Sequence, residues 1–272
     1  TVMNAALRTE WRKIATTRLW WVTALVMLAY MLVMGAVMAL SFALGGDEAS
    51  TLPGGEPMVL DPRDVASSVY TLAVALGYIF PAILGALTVT AEFRHRTITP
   101  TLLAEPRRSL VLGAKLAVVL PYALVVSVAG VVGTLLGGAS ALAIMGEPTY
   151  LGDAQMWRTI AMSVVALVLW SLVGVGFGSV LTNQVAAIVV LLVFTQFVEP
   201  LLRILLAQFD VTETASQFLP GAAGEAIAGS SLYVSSGLAD LLPAWQGALV
   251  LLGYALVLVV VGRLTTFRRD IG

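Results

Sequence analysis

The sequence predicts an all-α polytopic membrane protein with six transmembrane helices and both termini cytoplasmic. Three observations carry that prediction: an apolar composition, long gaps between charges, and an alternation of charge between the segments that separate the gaps. Hydrophobic residues make up 59% of the 272-residue chain and charged residues 11%, against roughly 25% charged in a soluble domain. Mean hydropathy is +0.94. So little polar surface excludes a soluble enzyme, and the high hydrophobicity excludes disorder. Cysteine is absent, which removes disulfides and thiolate metal sites. Thirteen Arg against two Lys, with abundant Ala, Val, Leu and Gly, points to a GC-rich bacterial genome.

The uncharged gaps set the spans. Arg18 and Asp47 bracket 28 residues, Asp64 and Glu92 27, Lys115 and Glu147 31, Arg158 and Glu199 40, and Asp240 and Arg263 22. A crossing helix needs about 20 residues. The 40-residue gap would make a rod of roughly 60 Å, so it is read as two spans joined by a polar turn at Leu181-Thr182-Asn183-Gln184-Val185. With both termini cytoplasmic, the inside segments hold 12 of the 15 basic residues and net +8, while the outside ones net −9. Arg268 and Arg269 fall inside in this arrangement. Basic residues are retained on the cytoplasmic side during insertion.

The elements follow in order. Residues 2–17 place Met3, Leu7, Trp11 and Ile14 on one helical face, opposite Arg8, Arg12, Thr9, Thr16 and Lys13. That pattern suits an in-plane amphipathic helix lying on lipid (1–18 with its flanks). The gap after it is too long for the h-region of a signal peptide. The spans are expected at 19–42, 67–91, 110–136, 159–181, 185–204 and 244–262, with an extracellular segment at 205–243, and the whole chain 1–272 reads as one domain. Ser109 is the expected N-cap of span 3. Pro81 and Pro121 should bend spans 2 and 3. Gly133-x-x-x-Gly137 and Gly174, Gly176 and Gly178 read as close helix-packing positions.

The loop between spans 2 and 3 carries the most information. Thr99-Pro100 reads as a helix start and Pro106 as its stop, giving a short helix at 99–105 that exposes Leu102 and Leu103 between basic flanks. Two readings stand side by side: a docking knob for a protein partner, or a basic loop held on anionic headgroups.

Here the sequence resembles the type-2 permeases of ATP-binding-cassette (ABC) exporters. In that family an acidic residue at the end of span 2 precedes a Thr, a Leu-rich turn, a Pro and an Arg. Glu92, Thr97, Leu102, Leu103, Pro106 and Arg108 match position by position. The run from Glu10 to Arg18 resembles the opening of many actinobacterial members. Arg96 departs from the pattern, which usually has Gly before the Thr. The resemblance implies a connecting helix at 1–18 and a coupling helix at 99–105. It also implies a second permease chain, most simply as a homodimer, and separate ATP-binding subunits that carry ATP and Mg in a bacterial plasma membrane. It further implies that spans 2 and 5 face the translocation path, which brings Tyr78, Phe80, Phe194, Gln196 and Phe197 into view. Such an aromatic lining suits an amphiphilic or hydrophobic substrate: a drug, antibiotic, lipid or peptide. For each aromatic, ordinary helix packing is the competing reading.

The residues themselves agree on the energy source. The chain has no G-x-x-x-x-G-K-[ST], and no H-E-x-x-H or nucleophile beside a histidine that would mark an enzyme. No nucleic-acid motif is present. Spans 1, 2, 4 and 6 carry no charge in their middles, which argues against proton coupling. An ion-coupled carrier or channel is the second reading. Lone His95, between Arg94 and Arg96, is expected at the headgroups and not on a metal. Lys115 is expected to snorkel to the inner interface, with no function. Glu199 and Arg203 have the favourable i,i+4 order. They read as an interfacial pair whose charges reach water, with an extracellular gate as the functional alternative.

Overall fold

The computed structural model describes residues 2–45, 61–206, 214–231, 234 and 240–267. Within them the fold is all-α, with six helices long and apolar enough to cross a membrane. Residues 46–60, 207–213, 232–233, 235–239 and 268–272, with Arg268 and Arg269 among them, lie outside the described residues.

Helix α1, Val2–Ala15, precedes α2, Leu19–Gly45, which forms span 1. Span 2 is composite: α3, Pro62–Tyr70, a π-helical turn at Ala73–Gly77, and α4, Ile79–Arg94. The interruption replaces the simple bend expected at Pro81. Pro81 falls in the first turn of α4, where a missing N–H costs no helical bond. Helix α5, Ile98–Ala104, leads into α6, Arg108–Met145 (span 3), then α7, Ala154–Val180 (span 4). Span 5 is again composite: α8, Gln184–Val193, a π-helical turn at Phe194–Val198, and α9, Glu199–Leu206. Helix α10, Pro220–Ala228, precedes α11, Ala244–Thr265, which is span 6.

Some boundaries differ from the sequence reading for clear reasons. Span 3 runs nine residues beyond 136 because small and apolar residues continue to Met145, and Gly146, at φ 81°, supplies the left-handed cap. Its N-cap is Arg107 and not Ser109, which lies one residue inside α6. Helix α6 continues through Pro121, a position exposed at the surface. The 40-residue gap does split as expected: Asn183 Oδ1 accepts from the N–H groups of Val185 and Ala186 and starts α8.

Glycines set how closely the spans approach. A Cβ at Gly133 or Gly137 of α6 would run into the Leu28 or Leu32 carbonyl of α2. Gly174 and Gly178 of α7 likewise press on the Ala82 and Ala86 carbonyls of α4. Gly262 of α11 meets Ser179. This is how apolar helices associate where lipid offers no hydrophobic drive between them. Span 2 is consequently the centre of the bundle, with 72% of its most apolar window buried against 22% for spans 1, 5 and 6.

The loops sort to two ends. At one end meet α1, α5, the 181–184 turn and the end of α11. Arg94 Nη1 donates to Gln184 Oε1 (3.2 Å), and Phe93 packs edge-on against Phe267. At the other, Arg63 pairs with Asp153, and Tyr70 Oη donates to the Thr149 carbonyl (2.8 Å).

Candidate functional site

The site begins on α1. Its inward face is Leu7, Glu10 and Ile14, whereas Met3 and Trp11 stay half-exposed. The stripe expected to face lipid is therefore divided, with Met3 and Trp11 exposed and Leu7 and Ile14 turned toward the bundle. A carboxylate can sit at the centre of the inward face only with partners, and both lysines of the chain supply them.

Lys115 Nζ donates to Glu10 Oε2 (2.7 Å), Glu92 Oε1 (2.6 Å) and the Thr88 carbonyl (2.9 Å). Lys13 Nζ donates to Glu10 Oε1 (2.6 Å), Glu92 Oε1 (2.7 Å) and Thr101 Oγ1 (3.1 Å). Each ammonium thus uses its three donors. Glu10 and Glu92 are 4% and 5% exposed, and the Lys115 side chain is 0% exposed. The snorkelling expected for Lys115 is thus overturned: it points into the bundle because two carboxylates and a carbonyl compensate its desolvation. Burial lowers the Lys13 pKa, but the carboxylates of Glu10 and Glu92 outweigh this and hold it above the ordinary lysine range. The fully ionised quartet is neutral. Glu92 Oε2 is buried without a hydrogen-bond partner among the described residues.

This quartet joins four elements: α1 (Glu10, Lys13), the end of span 2 (Glu92), α5 (Thr101) and span 3 (Lys115). The connection between span 2 and α5 is equally defined. His95 caps α4, Arg96 turns the chain at φ 56°, and the Thr97 N–H donates to the Glu92 carbonyl (2.8 Å). Arg96 thus occupies the left-handed conformation that favours glycine. Thr97, and not Thr99, is the N-cap, so α5 starts one residue before 99 with Pro100 still inside its first turn. Leu103 is 79% exposed, whereas Leu102 is partly buried against the core, so only one leucine projects. Pro106 is exposed in the link between α5 and α6, and Arg108 opens α6. Beside it, Glu105 is held below the usual carboxylate range by its hydrogen bond from Arg107.

A second buried cluster sits near the opposite end. Arg203 Nη2 donates to Glu199 Oε1 (3.0 Å) and its Nη1 to Glu225 Oε2 (2.8 Å). The Gly221 and Ala222 N–H groups at the start of α10 also donate to Glu199 Oε1 (2.5 and 3.2 Å), as expected for an anion at a helix N-terminus. Ser231 Oγ donates to Glu225 Oε2 (2.5 Å). Glu199 and Arg203 are 1% and 7% exposed. The i,i+4 pair is present, but it is not the water-reaching couple expected from its position. Helix α10, every residue of which is buried, closes over it from the segment read as a plain extracellular loop.

The five aromatic and polar residues expected along a path lie in or next to the two π-helical turns, and of them Tyr78 bonds across from one span to the other. Tyr78 follows the first, is buried, stacks on Trp170 (4.4 Å, 27°) and donates from Oη to the Thr195 carbonyl (2.9 Å). Thr195 lies in the second turn with Phe194, Gln196 and Phe197. Phe194 and Gln196 are half-buried and Phe197 is exposed. Phe80 packs against Tyr30 (5.7 Å). π-Helical turns are rare and recur at functional positions.

Sequence reasoning had not identified Glu10, Lys13, Thr101, Lys115 or Glu225 as site residues. One signal was present for the first cluster: the chain has 13 arginines and only two lysines, and the structure places both lysines on the same two carboxylates. A compact ammonium fits between them, whereas a planar guanidinium would demand more room. Comparison with protein-family models and with curated proteins finds no match for this chain.

Proposed function

We propose that this chain is the membrane-spanning permease subunit of an ATP-driven ABC exporter, working as a homodimer with two separate ATP-binding subunits. It moves an amphiphilic or hydrophobic molecule out of a bacterial cell, with both termini and α5 on the cytoplasmic side. The observation that carries this reading is α5 itself. It is a seven-residue helix between spans 2 and 3, braced to α1 and span 2 through Thr101, Lys13 and Glu92, with Leu103 projecting from it. A braced knob can pass on a partner's motion, which a floppy loop would dissipate. Glu92, Thr97, Leu102, Pro106 and Arg108 hold and frame the knob, and Leu103 is its contact residue.

The experiment is co-purification with the ATP-binding subunit and substrate-stimulated hydrolysis in lipid. An interface hot spot is worth at least about 2 kcal/mol, or roughly 30-fold in affinity. Leu103→Asp should release the partner by that order and leave the six spans inserted. Wild-type co-purification and stimulation with Leu103→Asp would make α5 a headgroup anchor and remove the basis for this reading.

The outer cluster favours a second reading, an ion-coupled carrier. Glu199, Arg203 and Glu225 are buried ionisable groups between apolar helices, the kind that marks ion pathways. Transport in vesicles by the chain alone, driven by a proton gradient without ATP and abolished by Glu225→Gln, would establish the carrier in place of the exporter.

A further inference from the structure

A groove runs between α1 and α6 on the outer surface of the bundle, apart from both charge clusters. Its volume is about 450 Å³, within the range of about 300–1,000 Å³ seen for small-molecule sites. Leu7 and Trp11 from α1, with Ala117 and Pro121 from α6, form its apolar wall, and Arg8 and Arg12 line it from α1. The two arginines are one turn apart and exposed, and among the described residues neither forms an ion pair. Trp11 is fixed at the edge of the groove by Tyr122, with ring centroids 4.9 Å apart. Pro121 has no N–H, so the carbonyl of Ala117 loses its usual helical donor.

We propose that this groove binds one anionic phospholipid, with an acyl chain along Leu7, Ala117 and Pro121 and the phosphate between Arg8 and Arg12. The combination selects that occupant. Two guanidiniums one turn apart, in no ion pair among the described residues, call for an anion that accepts several hydrogen bonds, and phosphate does. The rest of the lining is apolar, so the anion must carry a hydrocarbon tail. The groove lies alongside the first 14 residues of α6, and a basic amphipathic helix such as α1 suits the level where headgroup and chain meet. Basic pockets between membrane helices hold such headgroups. A glycerol hydroxyl of the headgroup is a donor of the kind the Ala117 carbonyl lacks. The assignment is independent of the exporter reading.

The test is native mass spectrometry of the purified chain titrated with dioleoyl phosphatidylglycerol or dioleoyl phosphatidylcholine. One tight phosphatidylglycerol site is expected, with phosphatidylcholine at least about tenfold weaker. Each arginine beside an anionic headgroup contributes about fivefold in affinity, so R8Q/R12Q should weaken phosphatidylglycerol roughly 30-fold. Ala117→Trp keeps both arginines but fills the groove, and should lose the tight site as well. Ala117, Arg8 and Arg12 are all exposed, so none of these changes opens the core; an unchanged gel-filtration profile checks this, and Ala117→Leu replaces any Trp variant that fails it. Three results would each overturn the proposal. Equal affinity for the two lipids removes the anion, retention of the tight site in the filled groove reduces it to diffuse surface attraction, and displacement by millimolar glycerol phosphate makes it a site for free phosphate.

Discussion

Replacing Lys115 with Met removes one ammonium from the buried quartet and keeps a long apolar side chain in its place. In the native protein Lys115 makes three hydrogen bonds of 2.6–2.9 Å and is shut off from solvent. After the change, Glu10 and Glu92 face only Lys13, whose side chain is 33% exposed, and the quartet carries a net charge of −1. Removing one partner of a buried ion pair costs about 3–5 kcal/mol. At about 2–4 °C per kcal/mol for a chain of this size, the midpoint should fall by roughly 6–20 °C. The assay is gel filtration of the fluorescent fusion after stepwise heating, in one detergent–lipid mixture throughout. Adding Glu10→Gln to Lys115→Met restores neutrality and should recover a large part of the loss, because residues in one network do not add. Arg107→Gln, which breaks an exposed pair, should leave the midpoint unchanged. If Lys115→Met stays within 2 °C of wild type by the same assay (roughly 1 kcal/mol or less), the quartet does not hold these elements together.

Arg96→Gly should raise stability by about 0.5–1 kcal/mol, since a left-handed non-glycine residue costs about 1–2 kcal/mol and glycine returns part of that as chain entropy; a lower midpoint in the heating assay would contradict the turn geometry. Gly137→Ala should cost about 1–3 kcal/mol, because its methyl would meet the Leu32 carbonyl, whereas Gly113→Ala, with open space around it, should gain about 0.5–1 kcal/mol. The two alanine variants behaving alike would show that close helix approach does not set stability. Lys13 is raised in the folded state, so its contribution is complete below the ordinary lysine value of about 10.4 and is lost as pH climbs through the higher folded value. Lys13→Met should flatten that alkaline decline in midpoint, and an unchanged decline would assign it to other groups.

Much of the fold was legible because membrane insertion is a one-dimensional problem. Charge gaps longer than 20 residues, an alternation of basic and acidic segments, and Asn183 in a polar turn are all local signals, and the six helices follow them. The glycine contacts were legible for a related reason: small residues one turn apart on apolar helices have few other uses. Arg96 shows where a local rule and its exception meet. The resemblance placed glycine at that position, and the structure shows why the backbone favours one there, at φ 56°. What sequence could not supply was partnership across distance. Lys115 and Glu10 are 105 residues apart, and Arg203 and Glu225 are separated by a segment that read as a loop. A charge near a helix end is assigned to water by default. Only the fold reveals that another helix has already covered it.

Span 2 is both the most buried span and the least regular one. Its second part, α4, is an uninterrupted helix of 16 residues, a rod of about 24 Å. It is locked to α7 through Gly85, Gly174 and Gly178, where backbone meets backbone. Glu92 ties the far end of that rod to α1, α5 and span 3. At the near end the helix gives way to the π-helical turn 73–77, and Tyr78 crosses to the carbonyl of Thr195 in the matching turn of span 5. One turn farther along span 5, Glu199 accepts the N–H groups of α10. In the proposed exporter, a push on α5 would reach a helix closely packed against α7. The displacement would be taken up where the helical register is already broken, at the two π-helical turns that Tyr78 joins. The polar bonds on either side of those turns, Tyr78 to Thr195 and Glu199 to α10, are the contacts that such a displacement would remake first.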